Sequence, residues 1–333
     1  MTRMKLAQLL GAAIVTALLS ISMSALAQMP TPPTIRVIAI PGIPLPVAIA
    51  KMNGTFTKYG VEVQAEAAPS SDALRAALAS GKADIAHAAV DNAVAMDQTA
   101  DVVIVMGGEG SLNELIAQPG IHSLTELRGK TLIVDAVNTA YALQLKKILL
   151  ADGLQSGRDY ELKPVGTTPQ RLQAMHEHKE YAASMLGPPT SILAEHAGFV
   201  SLGSTRQLIG PYQASGAFVT RPWAQEHSDT LVRYLAAYIE AQRWLLDPAN
   251  RSRVVELLVK EWHLPAPVAD ETYALLKEGW FEEEARFDLD GFKNVLKLRA
   301  EVEGQWKGHP PAPEKYYDPS YYQEALSKVK AAQ

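Results

Sequence analysis

A chain of 333 residues, 47% of them hydrophobic and 20% charged, is globular and long enough for two domains of ordinary size. Its 31 Lys+Arg against 36 Asp+Glu give a net charge of -5. With no long basic run to follow a phosphate backbone, nucleic acid is not an expected partner. The sequence has no cysteine, which excludes disulfides, thiolate nucleophiles, Cys-ligated zinc, iron–sulfur clusters and a lipidated cysteine anchor.

Residues 1–27 read as a secretory signal peptide. Arg3 and Lys5 form the positive start, Leu6 to Met23 is apolar, and Ala25-Leu26-Ala27 is an A-x-A cleavage site before Gln28. An uncleaved anchor is the competing reading, because about 18 apolar residues approach the length that spans a bilayer. The cleavage pattern favours a mature, exported chain that begins near Gln28.

From there strands and helices alternate. Ile35 to Ile40 is a β-branched run of the kind buried on both faces. A helix follows over Pro46 to Met52, then a short segment ending at Gly60, and then the strand Val61 to Ala67. Ser70-Ser71-Asp72 cap a helix through Ala79, Asp84 to Val90 is a strand, Asp91-Asn92 start a helix to Gln98, and Val102 to Met106 is a strand. Repeated strand–helix units predict a parallel, doubly wound sheet.

After the polar stretch Gln118 to Gly129 the pattern restarts. Strands are predicted at Thr131 to Val134, Tyr160 to Val165, Tyr181 to Leu186 and Val200 to Leu202, with helices at Thr139 to Ala151, Thr168 to Glu177 and Ile192 to His196. Ser215 to Thr220 reads as a strand returning toward the first unit. Beyond it the chain is helical to its end, and all five tryptophans lie there. Their ordinary role is packing. The reading is therefore α/β, two lobes each built on a doubly wound, mostly parallel sheet, with a helical C-terminal extension on lobe one. The divisions are 28–120 (lobe one), 121–215 (lobe two) and 216–333 (lobe one and tail).

Catalytic motifs are missing. Gly129-Lys130-Thr131 resembles the end of a phosphate loop, but Leu124 stands where that motif needs glycine and a strand follows. His176 and His178, two apart on a helix, point away from each other. There is no H-E-x-x-H, no G-x-S-x-G and no dinucleotide fingerprint, so no enzyme, metal or cofactor is expected. What is present are small, polar turns at the C-terminal ends of predicted strands, where open α/β sheets place ligands. These turns supply the candidate ligand-binding residues Ile43, Leu45, Ser70, Ser71, Asp91, Asn92 and Glu109 in the first unit, and Asn138, Thr139, Tyr141 and Pro188 in the second, with Tyr212 in the return segment. Each turn alone is explained by helix capping; two facing sets make ligand binding the better account.

Several segments carry a family resemblance: Ile35-Arg36-Val37 before a Pro-rich turn, Leu78 to Ala86 (LASGKADIA), Ala100 to Val105 (ADVVIV), Ile121 to Lys130 (IHSLTELRGK) and Gly210 to Ser215 (GPYQAS). Over residues 34–275 the chain resembles the periplasmic solute-binding proteins of the nitrate/sulfonate/taurine and thiamine-precursor type. That resemblance implies a two-lobed, hinge-closing periplasmic protein that passes a small solute to an ABC permease in the inner membrane, acts as a monomer and carries no cofactor. The family often has an Asp and a Trp-Glu-Pro-like turn where this chain has Tyr181 to Pro189, a more apolar wall.

None of the predicted ligand turns holds Lys or Arg, whereas Asp72, Asp91, Glu109 and Asp135 lie in or beside them. An organic sulfonate or carboxylate, or an amino or heteroaromatic compound, is expected before nitrate or bicarbonate. Tyr141 and Tyr212 are the candidates for ring contacts, Asn138 and Thr139 for an acidic head group, and Ser70, Asp91 and Asn92 for the polar end. The hinge is expected near Pro119-Gly120 and Ala214-Ser215. Two other readings remain: a solute-sensing subunit of a signalling system, and an enzyme on the same fold related to thiamine-pyrimidine synthesis. The resemblance gives such enzymes a cysteine-rich iron motif, and this chain has no cysteine.

Overall fold

The computed structural model describes residues 31–331, so the expected signal peptide, residues 1–27, lies outside the described part. The first strands are β1 (Thr34–Ala39), β2 (Glu62–Ala67), β3 (Ile85–Ala89) and β4 (Val102–Gly107), interleaved with helices α1 (Leu45–Met52), α2 (Thr55–Lys58), α3 (Ser71–Ala79) and α4 (Asp91–Ala95). The middle of the chain holds β5 (Glu114–Ala117), β6 (Thr131–Val134), α5 (Ala140–Ala151), β7 (Glu161–Pro164), α6 (Thr168–Glu177), β8 (Tyr181–Leu186), α7 (Thr190–His196), β9 (Val200–Ser204) and α8 (Thr205–Leu208). Then come β10 (Ser215–Thr220) and the helices α9 (Arg221–Glu226), α10 (Ser228–Leu246), α11 (Arg251–Glu261), α12 (Ala266–Leu275), α13 (Leu289–Glu303) and α14 (Ser320–Ala331).

These strands form two five-stranded sheets of the same design, β2-β1-β3-β10-β4 and β7-β6-β8-β5-β9. In each, four strands run in one direction and the fourth in the order runs antiparallel to both its neighbours. That fourth strand is the one the chain exchanges between lobes: β10 returns to the first sheet, as its apolar run predicts, and β5 enters the second. Alternation along the strands feeds two cores. In β4, Val103 and Val105 point into one cluster and Val102 and Ile104 into the other, the two-residue period of a sheet covered on both faces.

Strand β5 corrects the predicted division and hinge. Its apolar run, Leu115-Ile116-Ala117, is too short to show a period, but it pairs Glu114 with Leu186 and Ala117 with Ala183 in the second sheet. The chain therefore leaves the first sheet before residue 114 and not at Pro119-Gly120.

The helical tail packs onto the first sheet, as expected of the extension. Helix α10 is buried over most of its circumference, from Leu231 to Leu245, because α1, α2 and α14 surround it; such a helix belongs to a core. His87 of β3 meets this helix: its Nε2 lies 2.8 Å from the Tyr234 hydroxyl and its ring stacks on Tyr238 at 5.2 Å. Burial holds that imidazole neutral, with its pKa lowered to about 3. The segment after α12 turns through Gly279 at φ 98° and crosses the end of β4. There a side chain on Gly107 would meet the Arg286 carbonyl at 2.4 Å, so only glycine allows the crossing. Among the described residues no helix is long and apolar enough to cross a membrane.

Candidate ligand-binding cleft

Two short crossovers join the sheets, 108–113 outward and 209–214 back, and they lie side by side. The Glu109 N–H donates to Ser215 Oγ at 2.8 Å, the Ser215 N–H donates to the Glu109 carbonyl at 3.1 Å, and Gly110 bridges Gln213. The Thr205 N–H donates to the Asn113 carbonyl at 2.8 Å. Residues at the C-terminal ends of β4 and β8 are thus held beside the crossovers, the place where open α/β sheets bind ligands.

On the lobe-one side the prominent group is Glu109. Its backbone bridges Phe281, and the Gly110 N–H donates to the Trp280 carbonyl at 2.8 Å. The residue is half-buried. Burial pushes its pKa up to about 7, and no cation among the described residues offsets it. The charge of Glu109 also reaches Tyr141 of lobe two and Tyr238 of lobe one.

On the lobe-two side Tyr141, in the first turn of α5, lies over the Arg171 guanidinium at 4.7 Å, with its hydroxyl 3.5 Å from Thr168 Oγ1. Arg171 is fully buried. It donates from Nε to Ser184 Oγ at 3.0 Å, from Nη1 to the Gly166 carbonyl at 2.6 Å, and from Nη2 to the Met185 carbonyl at 3.0 Å and Thr168 Oγ1 at 3.3 Å. All of these acceptors are neutral; burial lowers the arginine's pKa, and the nearest compensating charge is Asp135. Gly187 completes the wall, because a side chain there would approach Asn113 Oδ1 at 2.8 Å and the Tyr141 hydroxyl at 3.6 Å.

Of the twelve candidates, Glu109 lies on the outward crossover, Tyr141 beside Gly187 at the end of β8, and Pro188 next to Gly187. Three polar candidates are turned inward instead. Asp91 is 3% exposed, pairs with Arg299 at 2.6 Å and accepts from the Tyr212 hydroxyl at 3.0 Å, so both carboxylate oxygens are occupied. Tyr212 is itself buried in the lobe-one core, and Asn92 accepts from Arg75 Nη1 at 2.7 Å and donates to the Ala89 carbonyl. The expected polar end at Asp91 and Asn92 and the ring contact at Tyr212 are therefore internal structure. Leu45 is core, with Ile43 packed against it. Ser70 caps α3 by accepting from the Ala73 N–H at 3.1 Å, and Ser71 begins that helix. Asn138 is exposed, and Thr139 donates to Asp135 and to the Ala136 carbonyl.

The sequence reading passed over Asn113, Arg171 and Trp280. Arg171 carried a signal: it lies four residues before Met175, on the face that α6 buries. Asn113 and Trp280 gave none, since each reaches the cleft through a contact distant in sequence. The statement that no ligand turn holds a basic residue holds for the loops, but the guanidinium stands one turn inside α6. His176 and His178 are exposed, and among the described residues no three His, Cys, Asp or Glu side chains cluster to hold a metal.

Residues 35–117 and 130–259, the larger part of the chain, match the model of the NMT1-like family. The chain belongs to the NMT1-like family. Solved structures share the fold of this NMT1-like chain at low identity. A protein of Bordetella bronchiseptica RB50 superposes with a TM-score of 0.75 at 16% identity, over 89% of this chain and 98% of that one. The nitrate-binding protein NrtA of Synechocystis PCC 6803 gives 0.72 at 15%, covering 90% and 89%. The alkanesulfonate-binding protein SsuA of Xanthomonas axonopodis pv. citri, bound to MOPS, gives 0.69 at 15%, covering 88% and 100%. The two-lobed periplasmic-binding-protein fold expected from the sequence is thereby borne out. A comparison with curated proteins finds no match.

Proposed function

We propose that this NMT1-like protein is the exported, periplasmic solute-binding component of an ABC-type importer, released from its signal peptide near Gln28. It captures one small organic molecule between its lobes and presents the closed form to an inner-membrane permease. The observation that carries this reading is the seam between the lobes: two crossovers bonded side by side, which can act as a hinge, with Tyr141 and Asn113 of the second sheet brought together beside them at Gly187. The membership of the family and the neighbours' names, which include an import-system ligand-binding component of Staphylococcus aureus, support it.

Contacts between the lobes on two flanks fit a closed state. Lys146 and Lys147 of α5 pair with Glu303 and Glu301 of α13 at 2.7 and 2.6 Å, and His196 of α7 meets Glu271 of α12 at 2.9 Å. Opening would break these exposed or half-exposed pairs and the apolar contacts of Ile192, Leu193 and Leu143 with the lobe-one cores. The test is a thermal-shift screen of the mature chain against sulfonates, carboxylates, amines, amino acids and pyrimidines. A ligand at a hundred times its Kd adds about 2.7 kcal/mol of stability, and small-angle scattering should show compaction on binding. A screen without any shift across these classes would sink the proposal.

A further inference from the structure

We infer that α13 of the C-terminal extension is a splint across the hinge, and that the charges at its C-terminal end latch the two lobes in one orientation. This goes beyond the solute-binding reading, because it concerns the motion of the lobes with no solute between them. The helix runs for 15 residues, about 22 Å at a rise of about 1.5 Å per residue, and its side chains tie it to the returning crossover. The Asp288 N–H donates to Gln213 Oε1 at 2.7 Å, and Asn294 Nδ2 donates to the Pro211 carbonyl at 2.9 Å. Arg299 pairs with Asp91, which also accepts from the Tyr212 hydroxyl. A side chain on Gly291 would meet the Gln213 nitrogen at 2.7 Å, so the first turn lies directly against the crossover.

Past the crossover the same helix reaches lobe two. Glu303 and Glu301 in its last turn pair with Lys146 and Lys147 of α5 at 2.7 and 2.6 Å. Leu143 of α5 shares one buried apolar cluster with Val295, Leu296 and Leu298 of α13. The next residue, Gln144, is fully buried and accepts from Asn113 Nδ2 of the outward crossover at 2.9 Å. One helix therefore holds lobe one, the returning crossover and lobe two, and its lobe-two partner is bonded to the outward crossover.

The charge order of α13 is unfavourable for a helix on its own. A helix C-terminus is the negative end of its dipole, so acids there are destabilising, yet α13 ends on Glu301 and Glu303 with no basic residue in its last turn. Lys297 lies 3.7 Å from Glu301 one turn back, in the Lys-before-Glu order that is the weaker of the two. Compensation comes from lobe two instead, where Lys146 is further held by donating to the Val137 carbonyl at 2.8 Å. Moving α5 away returns both acids to the wrong end of the dipole, and that difference biases the lobes toward the docked orientation.

The chain has no cysteine, so nitroxide labels can be placed on the mature protein at Ala197→Cys and Ala274→Cys, exposed positions beside the His196–Glu271 contact on the other flank. Pulsed electron–electron resonance without solute should show mainly one short distance. Glu301→Lys with Glu303→Lys suits the helix dipole but repels Lys146 and Lys147, and should raise the ratio of separated to docked molecules about tenfold. The thermal midpoint should stay near that of the parent. Adding Lys146→Glu and Lys147→Glu restores opposite charges and should return the ratio to within about twofold of the parent's. Should the reversed helix not fold, Lys146→Gln with Lys147→Gln leaves α13 intact and should raise the same ratio about threefold. Three results overturn the inference: a parent chain already at the long distance, distances unchanged in both the reversed and the neutralised variants, or a folded charge-swapped chain that stays separated. None of these touches the solute-binding reading, which fails only if the thermal-shift screen is silent.

Discussion

Each lobe buries one arginine, and the two are treated in opposite ways. In lobe one, Arg299 is 2% exposed and is neutralised by Asp91 at 2.6 Å, with Tyr212 adding a hydrogen bond to the same carboxylate. In lobe two, Arg171 is fully buried and has no carboxylate within ion-pair distance among the described residues; hydroxyl and carbonyl oxygens hold it in place. The first arrangement cancels a charge and fixes a scaffold, tying α4, α13 and the returning crossover together. The second keeps the guanidinium on neutral acceptors, with Asp135 as its nearest compensating charge. Burial therefore says little about role until the sign of the partner is known.

The largest expected effect comes from breaking the cancelled pair. Arg299→Met leaves Asp91 buried and uncompensated and should cost about 3–5 kcal/mol, seen as a large drop in denaturation midpoint; adding Asp91→Asn should restore most of the loss. Arg171→Met removes hydrogen bonds but strands no opposite charge, so its cost should be smaller, about 2 kcal/mol. If Arg171→Met proves the more damaging of the two, the distinction between a cancelled and an uncancelled arginine is wrong.

Glu109 sharpens the same contrast through pH. Its carboxyl is raised from 4.5 to about 7, so the fold favours its protonated form. That contribution is fully present below about pH 4.5 and is lost as pH rises through 7. Relative to Glu109→Gln, the native chain should lose about 1–3 kcal/mol between pH 5 and pH 8, less than full conversion because the group keeps some water contact. A difference in melting temperature between native and variant that is flat across that range would contradict it. The smallest effect belongs to the surface flank: Lys147→Ala removes the pair with Glu301 and should cost under about 1 kcal/mol. Its use is as a probe of closure, since it should shift scattering of the solute-free chain toward the open form while leaving the midpoint nearly unchanged.

The fold was largely legible. Strands β8 and β10 and helix α6 lie where their apolar periods place them, because each is long enough to show a pattern and is bounded by Gly, Pro or a capping residue. What failed to show were short elements, β5 and α8, each of four residues. A segment that brief shows two periods at most, and the pairing of β5 is decided by a strand some 70 residues further on. Missing β5 alone moved the expected hinge to Pro119-Gly120.

The candidate site was legible only in outline. Strand-end turns drew attention to Glu109 and Tyr141, yet the same rule selected Asp91 and Asn92, which cap and brace the interior. Sequence by itself determined two repeating α/β units, an exchanged strand, a helical tail and the absence of thiol chemistry, because apolar spacing and residue inventory are local properties. The tertiary structure alone decided which charges cancel. Asp91 and Arg299 meet across 208 positions, and no local pattern encodes that encounter. Glu109 stays without a cation for the same reason: its neighbours Trp280 and Tyr141 are brought to it by chain crossings, and electrostatic compensation depends on distance in space and not along the chain.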